Sequence, residues 1–334
     1  MKRLLHCALL IAGLNALLIS GTRADDSKIR LMVAGIEKQI YLPVKLAEQL
    51  GYFREEGLNI ELLSEPSGVN AEDELLAGAV QGVVGFYDHT IYLQARGRAV
   101  QSVIQLMLVP GEMVLVSAAM NEKIRSPADF RGKTLGVTGL GSSTHFLTQY
   151  LAQSNGIKAN QYKILPAGSG NTFIDALNTG KIDAGMTTEP TASRLVSNGD
   201  AHILIDLRSA EETQRIFGGP YPAASLYMQA AWIAGHRLQV QKLVNALVRS
   251  LKYIQTHTAT EIAMAVPESY FAGDRNAYIR TLAASKAMYA TDGLMPEAGP
   301  PTVLKTLSLI SAAVRRQTIN LAKTYTTEFV EAAK

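Results

Sequence analysis

Leu75-Leu76-Ala77-Gly78-Ala79-Val80-Gln81-Gly82 and Leu177-Asn178-Thr179-Gly180-Lys181-Ile182-Asp183-Ala184 are built on one plan. Each is a helix end, a glycine able to cap it and a short β-rich run. The units around them repeat as well. In the first half, residues 29–33 form a strand and 42–50 a helix, with Pro43 in its first turn and Gly51 at its end. A strand at 59–63, a helix at 71–77 and a buried strand at 80–85 follow. In the second half the order returns as strand 134–138, helix 143–155 stopped by Gly156, strand 162–165, helix 172–178 and strand 182–186. Alternating β and α segments imply sheets of mainly parallel strands with helices on both faces. Their duplication implies two α/β lobes.

The first 24 residues read as an export signal. Lys2 and Arg3 precede an apolar stretch at residues 4–19 that His6 and Asn15 interrupt, and Thr22-Arg23-Ala24 offers small residues for cleavage. A spanning helix needs about 20 clean apolar residues, which this stretch does not supply. Cys7 lies at its start, not at its end where a lipoprotein carries its cysteine. The chain has 32 basic and 29 acidic residues, and the whole excess is Lys2, Arg3 and Arg23. The remainder is balanced, so no basic surface recommends a nucleic-acid or anionic-membrane partner. Cys7 is also the one cysteine. Disulfides, zinc–thiolate sites and cysteine nucleophiles are therefore excluded from residues 25–334, and the core alone must hold the fold. At that length two lobes suit better than one core. Lobe 1 is expected at 25–108 and 228–334, and lobe 2 at 109–227. Chain crossing near 105–111 and 223–229 would make a hinge.

Ligands of open α/β sheets sit beyond the carboxyl ends of the strands. That selects the loops at 34–41, 64–70 and 86–90 in one lobe and at 139–145, 167–171 and 187–191 in the other. They carry Tyr41, Phe86, Tyr87, His89 and His145 among glycines and hydroxyls, a composition suited to a small ligand. Gly139-Leu140-Gly141-Ser142-Ser143-Thr144-His145 follows a strand and opens a helix, which makes it a generic anion site. It lacks the lysine of a P-loop and the spacing of a dinucleotide fingerprint. Glu189 could accept from a ligand amine, or equally from helix N–H groups. Lys38 and Gln39 could reach the cleft or face solvent. No His, Cys or carboxylate set has metal-ligand spacing, and no catalytic constellation stands out.

Three blocks carry a family resemblance. Tyr41, Leu46-Ala47 and Gly51-Tyr52-Phe53-Arg54-Glu55-Glu56-Gly57-Leu58 form the first. Ser126-Pro127-Ala128-Asp129-Phe130-Arg131-Gly132-Lys133-Thr134, followed by the Gly-Ser-Ser-Thr-His loop, forms the second. Asp175-Ala176-Leu177, Gly180 to Ala184 and Glu189-Pro190 form the third. Together they resemble the receptors of ABC importers for nitrate, sulfonates, taurine and thiamine precursors. The resemblance implies a two-lobed periplasmic-binding-protein fold of type II, with two mixed or parallel sheets, flanking helices and a two-strand hinge. It implies delivery of a ligand to an inner-membrane permease; with the anion-competent helix start facing aromatic loops, the expectation is a periplasmic monomer that binds a small organic anion, with an aromatic carboxylate or a sulfonate as the guess, the alternatives being a thiamine-pyrimidine-type enzyme or a ligand sensor on the same fold. The residues expected at the cleft are Gln39, Tyr41, Ser67, Gly68, Tyr87, Asp88, His89, Gly141, Ser142, Ser143, Thr144, His145, Thr188 and Glu189. Neither cofactor nor metal is expected. The family often has Asp where Gln81 stands, while Asp183 keeps that acid in the second lobe; both are expected to matter for packing. One branch of the family builds the thiamine pyrimidine with a cysteine-rich motif that this chain lacks.

Overall fold

The computed structural model describes residues 28–333; the expected export signal and its cleavage point lie outside the described residues. The first lobe begins with β1 (Ile29–Val33), α1 (Leu42–Gln49), α2 (Tyr52–Glu55), β2 (Ile60–Ser64), α3 (Gly68–Leu76), β3 (Gly82–Phe86), α4 (Asp88–Ala95) and β4 (Val100–Gln105). The second holds β5 (Met113–Ser117), β6 (Thr134–Val137), α5 (Ser143–Ser154), β7 (Lys163–Pro166), α6 (Asn171–Asn178), β8 (Ala184–Thr187), α7 (Thr191–Ser197) and β9 (Ala201–Asp206). After α8 (Ala210–Phe217) the chain returns as β10 (Ala224–Gln229) and continues through α9 (Ala230–Gly235), α10 (Arg237–Thr256), α11 (Ala259–Met264), α12 (Arg275–Ser285), α13 (Gly299–Ile310), α14 (Ala312–Arg316) and α15 (Glu328–Glu331).

The two sheets have one design. Their orders are β2-β1-β3-β10-β4 and β7-β6-β8-β5-β9. β1 pairs in parallel with β2 and β3, and β6 with β7 and β8. The fourth strand of each row runs antiparallel to both neighbours. In each lobe that strand is the one the chain forms on arriving from the other lobe. Two crossings are the result. The return falls before residue 224, because β10 is hydrogen-bonded into the first sheet; this corrects the expectation that 223–227 belong with the second lobe and the hinge.

Local chemistry explains the repeat. Gly78 and Gly180 end α3 and α6 at φ +77° and +72°, where a side chain would be strained. Three residues on, Gln81 Oε1 accepts from Arg30 N at 2.8 Å and Asp183 Oδ2 accepts from Thr134 N at 2.8 Å. Amide and carboxylate do the same job at the start of a parallel pair, which is why the substitution is tolerated.

The C-terminal stretch differs from expectation. Residues 302–329 show one helical periodicity, yet Ser311 is extended (φ −112°, ψ 114°) and its Oγ caps α14 by accepting from Val314 N. Nor does this segment stay with the first lobe. Val303, Leu307 and Val314 share a core with Phe146, Leu147 and Tyr150 of α5 and with Ile91 of α4. α13 thus packs across both lobes, which the assignment of all of 228–334 to lobe 1 did not anticipate. Among the described residues no helix is long and apolar enough to cross a membrane.

Candidate functional site

The carboxyl ends of β1 and β3 face those of β6 and β8, and the lobes touch there. Gln39 N–H donates to the Glu189 carbonyl at 3.2 Å, Val69 N–H to Ser142 Oγ at 3.4 Å, and Ser143 Oγ to Asp88 Oδ1 at 2.8 Å. Between them remains a chamber of about 10 Å³, room for one water. Tyr41, Gly68 and His89 line it from the first lobe, and Ser142, Ser143, Thr144 and Thr188 from the second. Lys38, Ile40, Phe86, Glu112 and Thr138 complete the wall.

His89 enters from the first turn of α4, which begins directly after β3. Its Nδ1 lies 2.5 Å from Glu72 Oε2, and its ring stacks on Tyr227 at an interplanar angle of 15°. Among the described residues Nε2 is buried without a hydrogen-bond partner, with Asp88 Oδ1 3.9 Å away. Burial lowers the pKa of this imidazole, but the hydrogen bond and charge of Glu72, with Asp88 and Asp73, outweigh it, so the net shift is upward. Gly68 leaves the space in front of the ring: a Cβ there would sit 2.9 Å from Nε2.

Glu112 belongs to the first crossing, immediately before β5. It is 3% exposed and Oε2 has no partner among the described residues. Burial pushes its pKa well above the usual carboxylate range, Asp88 adds to the rise and Lys38 opposes it. Lys38 folds back over Gly35, donating to Ala34 O at 2.7 Å and Pro66 O at 3.0 Å. Burial lowers its pKa to about 8, with Glu112 and Glu37 resisting. Asp88 lies behind the wall. It accepts from Ser143 and, at 3.0 Å, from Tyr221 OH. Burial raises its pKa, while His89 and these two donors hold the rise down.

Several expected cleft residues are spent elsewhere. The Glu189 carboxylate accepts from Ser193 N (3.0 Å) and Oγ (2.8 Å) and pairs with Arg208 at 2.9 Å, so it caps α7 and lies off the chamber. Gln39 turns its Nε2 to Thr281 Oγ1 and Tyr278 O, while its Oε1 is buried without a hydrogen-bond partner among the described residues. Tyr87 OH bonds Thr324 Oγ1 at 2.5 Å in the core shared with α13. His145 Nδ1 accepts from Gly141 N–H at 2.9 Å, so these two close the glycine loop upon itself. Ser67 caps α3, accepting from Asn70 N. Ser143 and Thr144 do line the chamber, but their hydroxyls are committed. Ser143 donates to Asp88, and Thr144 Oγ1 accepts from Thr138 N at 3.0 Å. Both hydroxyls thus have protein partners in this closed form.

Sequence reasoning missed Glu112 and left Lys38 open. Glu112 does not follow a strand of either parallel set. Its sign was chemical: it is the one charged residue in the apolar run 106–116, and an acid is rarely buried without purpose. Among the described residues no cluster of three His, Cys, Asp or Glu could hold a metal ion.

Comparison with known proteins agrees with this geometry. Over 168 residues the chain is 31% identical to a 4-amino-5-hydroxymethyl-2-methylpyrimidine phosphate synthase of Saccharomyces cerevisiae, a match covering 49% of this chain and 47% of that one. The chain thus spans about half the length of that curated relative. A solved structure from Bordetella bronchiseptica RB50 superposes with a TM-score of 0.87 at 34% identity, over 91% of this chain and 96% of that one. The MOPS-bound alkanesulfonate-binding protein SsuA of Xanthomonas axonopodis pv. citri superposes with a TM-score of 0.68 at 17% identity, over 90% and 98% of the two chains. The fold is that of periplasmic binding proteins. Residues 40–260 match the family model described as NMT1/THI5 like, and the chain belongs to that family.

Proposed function

We propose that the protein is an extracytoplasmic solute receptor of an ABC importer, which closes its lobes on a small organic molecule and hands it unchanged to a membrane permease. One observation carries the reading. Glu112 and His89 line the chamber, and among the described residues Glu112 Oε2 and His89 Nε2 are buried without a hydrogen-bond partner, although Asp88 Oδ1 lies 3.9 Å from Nε2. Leaving a polar atom buried and unpaired costs about 1–3 kcal/mol, a cost that a ligand offering both N–H or O–H donors and an acceptor removes on closure. The chamber wall carries Glu112 beside Lys38 and His89, with Glu72 and Asp88 behind it, so it offers acceptors as well as donors. A polar nitrogen heterocycle fits this donor and acceptor set better than a sulfonate does, and the pyrimidine in the yeast relative's name belongs to that class.

The test is titration calorimetry of the protein and of Glu112→Gln with 2-aminopyrimidine, methanesulfonate and nitrate. The heterocycle should bind, and the substitution should weaken it about tenfold. Tighter binding of either anion, unaffected by Glu112→Gln, would sink the proposal. A second reading has its own observation: an imidazole aligned by Glu72 with its outer nitrogen free is a positioned acid or base. On that reading the protein transforms its ligand, and a new mass after incubation with a bound pyrimidine would favour it.

A further inference from the structure

Glu112 stands where the lobes turn on one another. Gly111, in the left-handed region at φ +68°, donates its N–H to Leu207 O at 2.9 Å, and Glu112 O accepts from Leu207 N at 2.9 Å. The backbone of the first crossing is thus pinned to the second lobe just beyond β9. The Glu112 carboxyl lines the interlobe chamber, beside Lys38 and His89 of the first lobe. A rotation of the lobes therefore changes the surroundings of this carboxyl. The titratable groups around it come from three segments: Lys38 and Tyr41 after β1, Asp88 and His89 on α4, and Tyr221 before β10. Their hydrogen bonds are unevenly shared. Asp88 accepts from Ser143 Oγ at 2.8 Å and from Tyr221 OH at 3.0 Å, which favours its ionised form. Glu112 Oε2 meets no donor among the described residues. Lys38 donates to Ala34 O and Pro66 O and acts on Glu112 through charge. His89 is tied to Glu72 of its own lobe, a bond that lobe rotation leaves in place. Burial keeps Tyr41 and Tyr221 neutral by pushing both far above the ordinary tyrosine range. Of two acids buried together, the one without donors takes the proton. The direction of the Glu112 shift agrees, because burial and the Asp88 charge both raise its pKa. Opening parts the chamber walls, and water then solvates the carboxylate.

We propose that closure of the lobes takes up one proton from solvent at Glu112, so that this hinge acid couples ligand capture to pH. The coupling rests on the receptor reading above through lobe closure alone, and not through the class of the ligand. Its sign follows from the two states. The closed form holds the higher pKa, and the open, solvated form the ordinary value of 4.5. Between those values the closed form binds more protons than the open one. Closure, and with it affinity, therefore rises as pH falls through that window, by at most about tenfold per pH unit, and levels off below it. Lys38 keeps its charge below its own pKa of about 8, so measurements at pH 5–7 isolate the acid.

Two experiments on the full protein test the coupling. The first is calorimetry with 2-aminopyrimidine at pH 6.5 in phosphate and in Bis-Tris, buffers of different ionisation enthalpy. The heats should differ by the equivalent of about one proton taken up per ligand bound. The affinity that Glu112→Gln retains should be the same at pH 5.5 and pH 7, with equal proton balance in both buffers, because an amide does not titrate. Binding of the native protein without proton uptake overturns the proposal. So does an uptake that persists in Glu112→Gln, and one that His89→Gln removes while Glu112→Gln does not assigns the proton to the imidazole. The second experiment needs no ligand. Small-angle scattering should show the radius of gyration of the native protein falling between pH 7 and pH 5, and that of Glu112→Gln constant. A radius that is constant in both, or that falls equally in both, overturns the coupling. The acid-driven decrease in the native protein alone, together with no heat from 2-aminopyrimidine, supports the coupling and defeats the heterocycle reading instead.

Discussion

Ser143→Ala should open the molecule without emptying its binding wall of any donor. Ser143 is on α5 of the second lobe and Asp88 on α4 of the first, and their 2.8 Å bond is the shortest interlobe hydrogen bond at the chamber. Asp88 is fully buried, so in the closed form water cannot replace the lost hydroxyl. In the open form it can. The substitution therefore penalises one state only. A hydrogen bond to a carboxyl in such a setting contributes about 1.5–2 kcal/mol, which shifts the closing equilibrium about 10–30-fold toward the open form. A ligand that needs the closed form loses affinity by the ratio of the two closed fractions, at most that factor. Small-angle scattering should show a larger radius of gyration for Ser143→Ala, and calorimetry with 2-aminopyrimidine should show the matching loss. If the effect runs through Asp88, Ser143→Ala should cost almost nothing further in an Asp88→Ala background. Full additivity of the two, or unchanged scattering with weakened binding, would refute the latch and return Ser143 to direct ligand contact.

Three other perturbations test the surrounding framework. Gly68→Ala places a Cβ 2.9 Å from His89 Nε2, and that ring, held by Glu72 and stacked on Tyr227, has nowhere to retreat. The variant should fold yet give no heat with 2-aminopyrimidine. Arg208→Met leaves the Glu189 carboxylate buried without its cation, and urea unfolding should show a loss of about 3 kcal/mol. For Lys38 the sign follows from its pKa, lowered to about 8 from 10.5. Below pH 8 the amine is charged in both folded and unfolded chains and its burial penalty is present in full. Between pH 8 and 10.5 the folded chain binds fewer protons than the unfolded one, so this group's contribution to stability rises with pH, by about 3 kcal/mol across the window. Lys38→Met should abolish that rise between pH 8 and 10, measured as the urea midpoint, and an identical slope in both proteins would show that the amine is not buried as described.

The fold was legible because its punctuation is local. Gly78 and Gly180 stop their helices through their own backbone, and the short runs after them must be strands because both faces are covered. The rule that ligands sit beyond strand ends selected loops that the fold brings to one chamber for the same reason, since it needs only the order of elements. It could not choose side chains. Glu189, Gln39 and Tyr87 all lie in the selected loops, yet each finds its partner on an element that sequence order does not bring near. Glu189 meets Arg208 across α7 and β9, Gln39 meets Thr281 on α12, and Tyr87 meets Thr324 beyond α14. Competition for hydrogen-bonding atoms decides whether a polar residue serves a ligand, and the competitors are set by tertiary packing. The helical periodicity of 302–329 failed on similar grounds: Ser311 breaks it through a cap, and the apolar face it leaves packs on α4 and α5, not on the first lobe alone. The residues that escape the competition are the informative ones. Glu112 and His89 retain unpartnered atoms at the one place where two lobes could bring a third molecule to them. In Glu112 this was foreshadowed by an isolated charge within eleven otherwise uncharged positions, 106–116. A lone acid that the chain cannot satisfy locally has a distant partner, a water or a ligand; among the described residues Glu112 Oε2 meets no hydrogen-bond donor, and Lys38 acts on it through charge.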